Sequence, residues 1–405
     1  MTDFINLQTI QRARASLGSR LFESPCPYSR SLSALAGNRI NLKLENLQMT
    51  GSFKERGALN KLLSLTSTER QSGVIAASAG NHAQAVAYHA AQLGIMAQIV
   101  MPLSTPLVKV SATQECGAKV TLYGANYDEA YHEAQRICRS EGLIFIHAFD
   151  DPFVIAGQGT LGLELLEQVP DMEAVLVPVG GGGLISGVAL AIKEMKPAVR
   201  IIGVQTERLA SMVAARKAGK PVTLEAASTI ADGIAVRQAG ELTSALVSKY
   251  VDDLVTVDEE EIANAILVLL EREKTVAEGA GAVAMAALLQ HKTSLAGRRT
   301  VAILSGGNID ITLVSRIIER GMVKDGRLVR LRIQLLDKPG ALQEITGVIA
   351  STRANIVGLL HDRAYYGVDI GSTVIDVTLE TRGLEHVNAL LRALDQAGYR
   401  HERVL

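Results

Sequence analysis

The chain contains no tryptophan, and aromatic residues make up only 4% of its 405 positions. Large ring anchors are therefore scarce. Ala, Gly, Leu and Val must fill the interior, as they do in layered α/β proteins. Cysteine is rare as well. Cys26, Cys116 and Cys138 stand far apart, with no CxxC pair and no paired His nearby. That argues against a disulfide framework and against a metal site, and it suits reduced thiols in a cytoplasmic protein. Excess charge of either sign is missing too. A net charge of −1 gives no electrostatic reason to bind nucleic acid or an anionic membrane. No apolar run reaches the ~18 residues of a membrane span, and the opening MTDFINLQTIQRARASLG lacks the apolar stretch of a signal peptide.

What is present is an alternation of short apolar runs and helical patterns. Asn41–Glu45, Val74–Ala77, Ala97–Met101, Lys119–Tyr123, Ala174–Val179, Ile201–Val204 and Thr300–Leu304 read as strands. Helical periodicity follows Asn81 and runs through Tyr127–Glu141 and Leu184–Met195. This spacing implies βαβ units and parallel sheets, and continuous rather than alternating apolarity implies sheets covered on both faces. The texture changes near residue 325. Arg330-Leu-Arg-Ile-Gln-Leu alternates strictly, Asp337-Lys-Pro-Gly340 is a turn, and Ala341–Ser351 reads as helix. Ile356–Leu360 and Thr373–Leu379 read as strands, Leu384–Ala397 as helix and Tyr399–Leu405 as a last strand. That is the ferredoxin-like β-α-β-β-α-β order. The expected organisation is a catalytic part over residues 1–322, a linker at 323–328 and a small module over 329–405.

Four stretches carry chemistry. In VPVGGGGLISG (177–187), a buried strand runs through Gly180, Gly181, Gly182 and Gly183 into a helix. Successive glycines let several backbone N–H groups converge on one point, and the helix start adds partial positive charge, which together make a phosphate cradle. The Gly-Lys-Ser/Thr of a P-loop is absent. A dinucleotide fingerprint is nearly met, so a nicotinamide enzyme is the first rival. In SAGNHAQAVA (78–87), Ser78, Ala79, Gly80, Asn81 and His82 open a helix whose bare N–H groups suit a carboxylate, although a plain N-cap by Ser78 or Asn81 explains the pattern as well. In ILSGGNID (303–310), Ser305 stands at the C-terminal edge of a strand, where ligands sit in open α/β sheets. Lys54 follows Phe53 at what reads as a helix start. A lysine in apolar surroundings near an anion cradle can lose basicity and become a nucleophilic amine able to form a Schiff base. A phosphate cradle, a Schiff-base lysine, an Asn donor and a hydroxyl for a ring nitrogen describe a pyridoxal phosphate site.

The motifs SFKERGA (52–58), SAGNHAQ (78–84), GGGGL (180–184), TIADGIAV (229–236), AEGAGA (277–282) and SGGNID (305–310), in this order, closely resemble the threonine dehydratases, or threonine ammonia-lyases. These are carbon–nitrogen lyases of the fold-type II, tryptophan synthase β-like pyridoxal phosphate family. The resemblance spans roughly residues 5–322. The tail resembles an ACT domain through Asp337-Lys-Pro-Gly-Ala-Leu342 and Ala354-Asn-Ile356. By position, the resemblance implies that Lys54 carries the cofactor as a Schiff base and removes the Cα proton. Phe53 packs on its ring, Asn81 bonds its 3′-hydroxyl, Gly180–Leu184 hold its phosphate and Ser305 faces its ring nitrogen. Ser78, Ala79, Gly80, Asn81 and His82 receive the substrate carboxylate. Ser78 and Glu278 join Lys54 as candidate catalytic residues, with helix capping as the bland account of Glu278. Pro339, Gly340, Ala341, Leu342 and Asn355 mark an amino-acid effector site between neighbouring modules, in a homodimer or homotetramer.

The implied reaction is deamination of L-threonine to 2-oxobutanoate, and of L-serine to pyruvate. A serine racemase shares most motifs, but its family pattern has a second serine where this chain has Ala79. A 3-hydroxyaspartate dehydratase wants an extra cation, and no Arg stands out for it in the helix Tyr127–Ser140, with Arg136 the one left open. A reading from another class makes the chain an amino-acid sensor, against which stands the intact lysine. A divalent site near Glu207 lacks its partner acid, since position 213 is Val213.

Overall fold

The computed structural model describes residues 5–362 and 371–404. The chain divides into two compact units, Met1–Asp310 and Ile311–Leu405. The division falls earlier than the expected boundary at 322. Residues 323–328 are not a free linker: a helix, Ile311–Lys324, belongs to the second unit, and Gly326, at φ 66°, turns the chain into the strand Leu328–Leu336. Gly321 looks like linker composition but lies inside that helix, at a tolerable cost of about 1 kcal/mol.

The first unit holds two sheets. The smaller places Lys119–Leu122, Ala97–Met101, Val74–Ala77 and Ile144–Phe145 side by side, all parallel. The larger runs Tyr28–Ser29, Arg39–Leu44, Arg299–Leu304, Ala174–Pro178, Arg200–Thr206 and Asp253–Val257, parallel except at its first edge. Every residue of Val74–Ala77, Ala97–Met101 and Ala174–Pro178 is buried. The expected two-sided cover is thus present at the centre. It fails at the edge strand Lys119–Leu122, which is partly exposed. The helices Tyr127–Glu141 and Gly183–Met195 lie where the periodicity put them. Apolar side chains such as Ile155, Val175, Val188 and Ile303 form the core on the larger sheet, and Val74, Val86, Ile99 and Met101 that on the smaller.

The second unit is one antiparallel sheet in the order Asn355–Asp362, Ser372–Glu380, Leu328–Leu336, His401–Arg403. With the helices Ala341–Ser351 and Leu384–Gln396 it has the ferredoxin-like order expected. Its core includes Leu331, Ile333, Ile349, Val377 and Leu390. The last strand is shorter than expected, and Leu405 lies outside the described residues.

Candidate active site

The chemistry-bearing residues of the first unit gather where parallel strands end. Val74–Ala77 runs into Ser78–Asn81, Ala174–Pro178 into the four glycines, and Arg299–Leu304 into Ser305. The carboxyl ends of parallel strands are the usual ligand edge of open α/β sheets.

Lys54 is the first residue of the helix Lys54–Leu63. A buried ionic cluster holds that helix in place. The guanidinium of Arg56, fully buried, donates to both oxygens of Glu45 at 2.7 and 2.8 Å and to both of Glu164 at 2.6 and 2.8 Å. Lys43 joins Glu164 from the adjacent strand. Glu55 turns the other way and accepts the amide N–H of Thr50. The acid–base pair after Lys54 is therefore internal wiring, which leaves Lys54 as the residue that points to the cleft. Its Nζ donates to the carbonyl of Ala148 at 3.0 Å and lies 5.2 Å from the centre of the Phe53 ring. Burial pulls the amine down to about 8, against a partial restoring pull from Glu278.

The segment 147–151 joins the lysine to the glycine turn. Ala148 meets Lys54, and the next ring, Phe149, covers Gly181 so closely that a Cβ there would come within 2.4 Å of it. Gly182 has φ 98°, a conformation other residues adopt at a cost. Thr243 closes the turn by donating its hydroxyl to the carbonyl of Gly181 at 2.6 Å. The amides of Gly181, Gly182 and Gly183 have no acceptor among the described residues. A helix start follows at Gly183, so the turn offers several free donors to an anion.

On the opposite side, backbone bonds tie the Ser305 loop to the lysine segment. Phe53 N–H donates to Ser305 O at 3.0 Å, and Gly307 N–H to Gly51 O at 2.9 Å. The buried Ser305 hydroxyl has a single long bond, 3.4 Å to Ala280 O. Asn81 donates its amide to Glu278 Oε1 at 2.7 Å and accepts from Asn308 at 2.7 Å. Glu278 stands at the N-cap position of the helix Gly279–Leu289 without capping it. Its carboxyl is raised to about 7, by burial first and then by Asp232. Neither Ser78 nor Asn81 caps the helix Asn81–Gln92; its cap residue is Gly80, with no side-chain bond. The Ser78 hydroxyl instead accepts the Gly80 N–H at 3.2 Å, and the helix opens with bare donors. Ala79 lies between them and brings no hydroxyl. His82 is bonded through Nε2 to Ile146 O at 3.0 Å, and burial lowers it to about 3, so it stays neutral.

The structure thus brings Phe53, Lys54, Asn81, Glu278 and Ser305 together. Sequence reasoning missed Ala148, Phe149 and Asn308, whose roles rest on a backbone carbonyl, a loop contact and a long-range amide pair. Arg136 points elsewhere and pairs with Glu133 on the surface. Glu207 is exposed, and no group of acids, His and Cys able to hold a metal occurs among the described residues. In the second unit, Gly340 caps the helix Ala341–Ser351 at φ 89° and follows the turn that contains Pro339; Ala341 and Leu342 open the helix. Asn355 follows its far end, so one copy does not bring it to Pro339–Leu342; it donates to Glu380 at 3.0 Å. No helix of the described residues is long and apolar enough to cross a membrane.

Residues 20–306 match the family model described as pyridoxal-phosphate dependent enzyme. The chain is 51% identical over 395 residues to an L-threonine ammonia-lyase of Thermotoga maritima, covering 98% of each. It is 47% identical over 315 residues to the catabolic L-threonine dehydratase of Escherichia coli K12, covering 77% of this chain and 96% of that one. Among solved structures, it is similar to the processed threonine deaminase isoform 2 of Solanum lycopersicum, with TM-score 0.72 and 38% identity over 77% of this chain and 93% of that one. It is similar too to maize serine racemase, with TM-score 0.74 and 35% identity over 79% and 98%.

Proposed function

Because the chain belongs to the pyridoxal-phosphate dependent enzymes, in their threonine ammonia-lyase branch, we propose that it deaminates L-threonine to 2-oxobutanoate and ammonia, and L-serine to pyruvate. The observation that carries the proposal is the Lys54 amine, lowered to about 8 and set beside a turn of glycines with free amides. These residues fit pyridoxal phosphate. The cradle tolerates no side chain at Gly181, and Ser305 keeps a hydroxyl almost unspent.

When bound, the cofactor supplies a carbonyl carbon that joins a primary amine and a ring that draws electrons from the substrate Cα–H bond. Gly180–Leu184 would hold its phosphate through backbone N–H groups, and Phe53 would pack against its ring. Ser305 would offer the ring nitrogen a neutral hydroxyl, which does not force that nitrogen to stay protonated. Lys54 would anchor the group, and its amine, near pKa 8 and so partly neutral at neutral pH, is suited to take the substrate Cα proton. Ser78–His82 receive the substrate carboxylate at the bare helix start. Glu278 fixes the side chain of Asn81, which would hold the ring hydroxyl. Loss of the Cα proton and of the β-hydroxide together removes one water from the substrate. Hydrolysis of the product C=N bond consumes one water, so the net products are the 2-oxoacid and ammonia.

Beyond the substrate amino acid, the proposal extends to an amino-acid effector at Pro339–Leu342, completed by Asn355 of another copy in a homodimer or homotetramer. The free thiols suit the cytoplasm as its location. The test is steady-state formation of 2-oxoacid from L-threonine, L-serine and 3-hydroxyaspartate, with and without L-isoleucine and L-valine. The expected result is turnover of L-threonine to 2-oxobutanoate. A protein that makes D-serine from L-serine but no 2-oxobutanoate from L-threonine contradicts the proposal.

A further inference from the structure

The second unit contains a cavity of about 330 Å³, lined in part by Arg327, Arg353, Asn355, Glu380, Arg382 and His386. It lies at the far end of the helix Ala341–Ser351 from the Asp337–Leu342 turn. At 1.5 Å per residue, that helix separates the two places by roughly 16 Å. The cavity is therefore a different locus from the loop expected to take an effector, and within one copy it is the cavity that receives Asn355.

Its charge is unbalanced. Arg353 and Arg382 face one carboxylate, Glu380, which also accepts from Asn355 at 3.0 Å. Arg353 and Arg382 have no ion-pair partner among the described residues. Both ring nitrogens of His386 are engaged, Nδ1 with the backbone N–H of Arg382 at 3.1 Å and Nε2 with Thr352 O at 2.7 Å. Arg353 adds one more sign. It has φ 65°, at the position after a helix where glycine is the usual occupant. A long cation is held there at a backbone cost that glycine would avoid.

We propose that this cavity binds a phosphomonoester on a small organic body. Arginine forks match the oxygens of phosphate in pairs, and the volume exceeds what inorganic phosphate alone would fill.

The experiment uses full-length holoenzyme, whose catalytic cradle is already filled by its own cofactor. Glycerol 3-phosphate is titrated by calorimetry at about 0.15 M salt, where the screening length is near 8 Å; succinate and inorganic phosphate are titrated in parallel. Glycerol 3-phosphate is expected to bind, and more tightly than either of the others. Arg353→Gly suits the backbone at that position, so the fold should survive. It and Arg382→Gln should each weaken binding roughly tenfold or more, the loss of one charge-assisted bond, with threonine turnover unchanged. No heat from wild type, equal binding of succinate, or wild-type affinity in both folded variants overturns the proposal.

Discussion

Glu278 is a buried acid without a cation bonded to it. Its carboxyl is raised to about 7 because burial, and then Asp232, disfavour the charged form. Raised above its unfolded value, it contributes fully below pH ~4.5, and that contribution is lost as pH rises through 7. Glu278→Gln keeps an oxygen for the Asn81 amide and has no proton to lose. The stability of the variant relative to wild type, from urea unfolding of the cofactor-free proteins, should therefore climb between about pH 5 and pH 8, by up to about 3 kcal/mol. A difference that stays flat with pH contradicts the shifted carboxyl. At the next residues the expected effects fall in order. Lys54→Ala should abolish turnover and the visible absorbance of lysine-bound cofactor, with the fold intact. Ser305→Ala should cost less, because a single hydrogen bond is worth about 0.5–1.5 kcal/mol net. Equal loss in both, measured as kcat, contradicts that ranking. Ala79→Ser would place a hydroxyl between Ser78 and Gly80, where it can return a proton to Cα from the face away from Lys54. Chiral analysis of serine incubated with the variant should detect D-serine, and wild-type D-serine at rates rivalling pyruvate formation would remove Ala79 as the discriminating residue.

At the scale of elements, the helix Lys54–Leu63 matters more than its modest length suggests, because it aims the lysine. Arg56 ties it to the 3-10 turn at Glu45 and to Glu164 on the helix Pro152–Gln168. Removing one member of a fully buried ionic cluster leaves uncompensated charge and costs about 3–5 kcal/mol. Arg56→Ala should lower the unfolding midpoint accordingly and loosen cofactor retention; unchanged stability would mean that the cluster is solvated in solution. None of this was legible in the sequence, where Glu55-Arg56 is only an acid beside a base. Contacts more than a hundred residues apart leave no periodic trace. The buried parallel strands were legible, since cover on both faces makes them continuous apolar runs. Tyr28–Ser29 and Ile144–Phe145 were not, since two residues carry no period. Asp253–Val257 was missed as a partly exposed edge strand that opens on an aspartate. The site was readable in the same uneven way. Glycines and a lysine at strand ends have a chemical signature, whereas Ala148 contributes only a carbonyl and Phe149 only the shape of a ring over Gly181.

At the scale of the whole molecule, the two units differ in what they need from each other. Every proposed cofactor and substrate contact lies in Met1–Asp310, and the second unit closes its own core around Leu331, Ile333 and Val377. The E. coli relative aligns over 315 residues and 96% of its length, so its length is spent almost entirely on the part that aligns. That alignment is longer than the first unit, which argues for keeping the helix Ile311–Lys324 in a truncated chain. A chain ending at Gly326 should therefore stay soluble, bind cofactor and turn over L-threonine at a rate within a few-fold of the full chain. Any response to amino acids should vanish with the Asp337–Leu342 turn. Kinetics with each amino acid, and the mass of both chains by light scattering, test this together. A full chain indifferent to every amino acid, whose truncated form dissociates, would give the second unit the work of joining subunits in place of sensing. A truncated chain that keeps the response would move the effector site into the first unit.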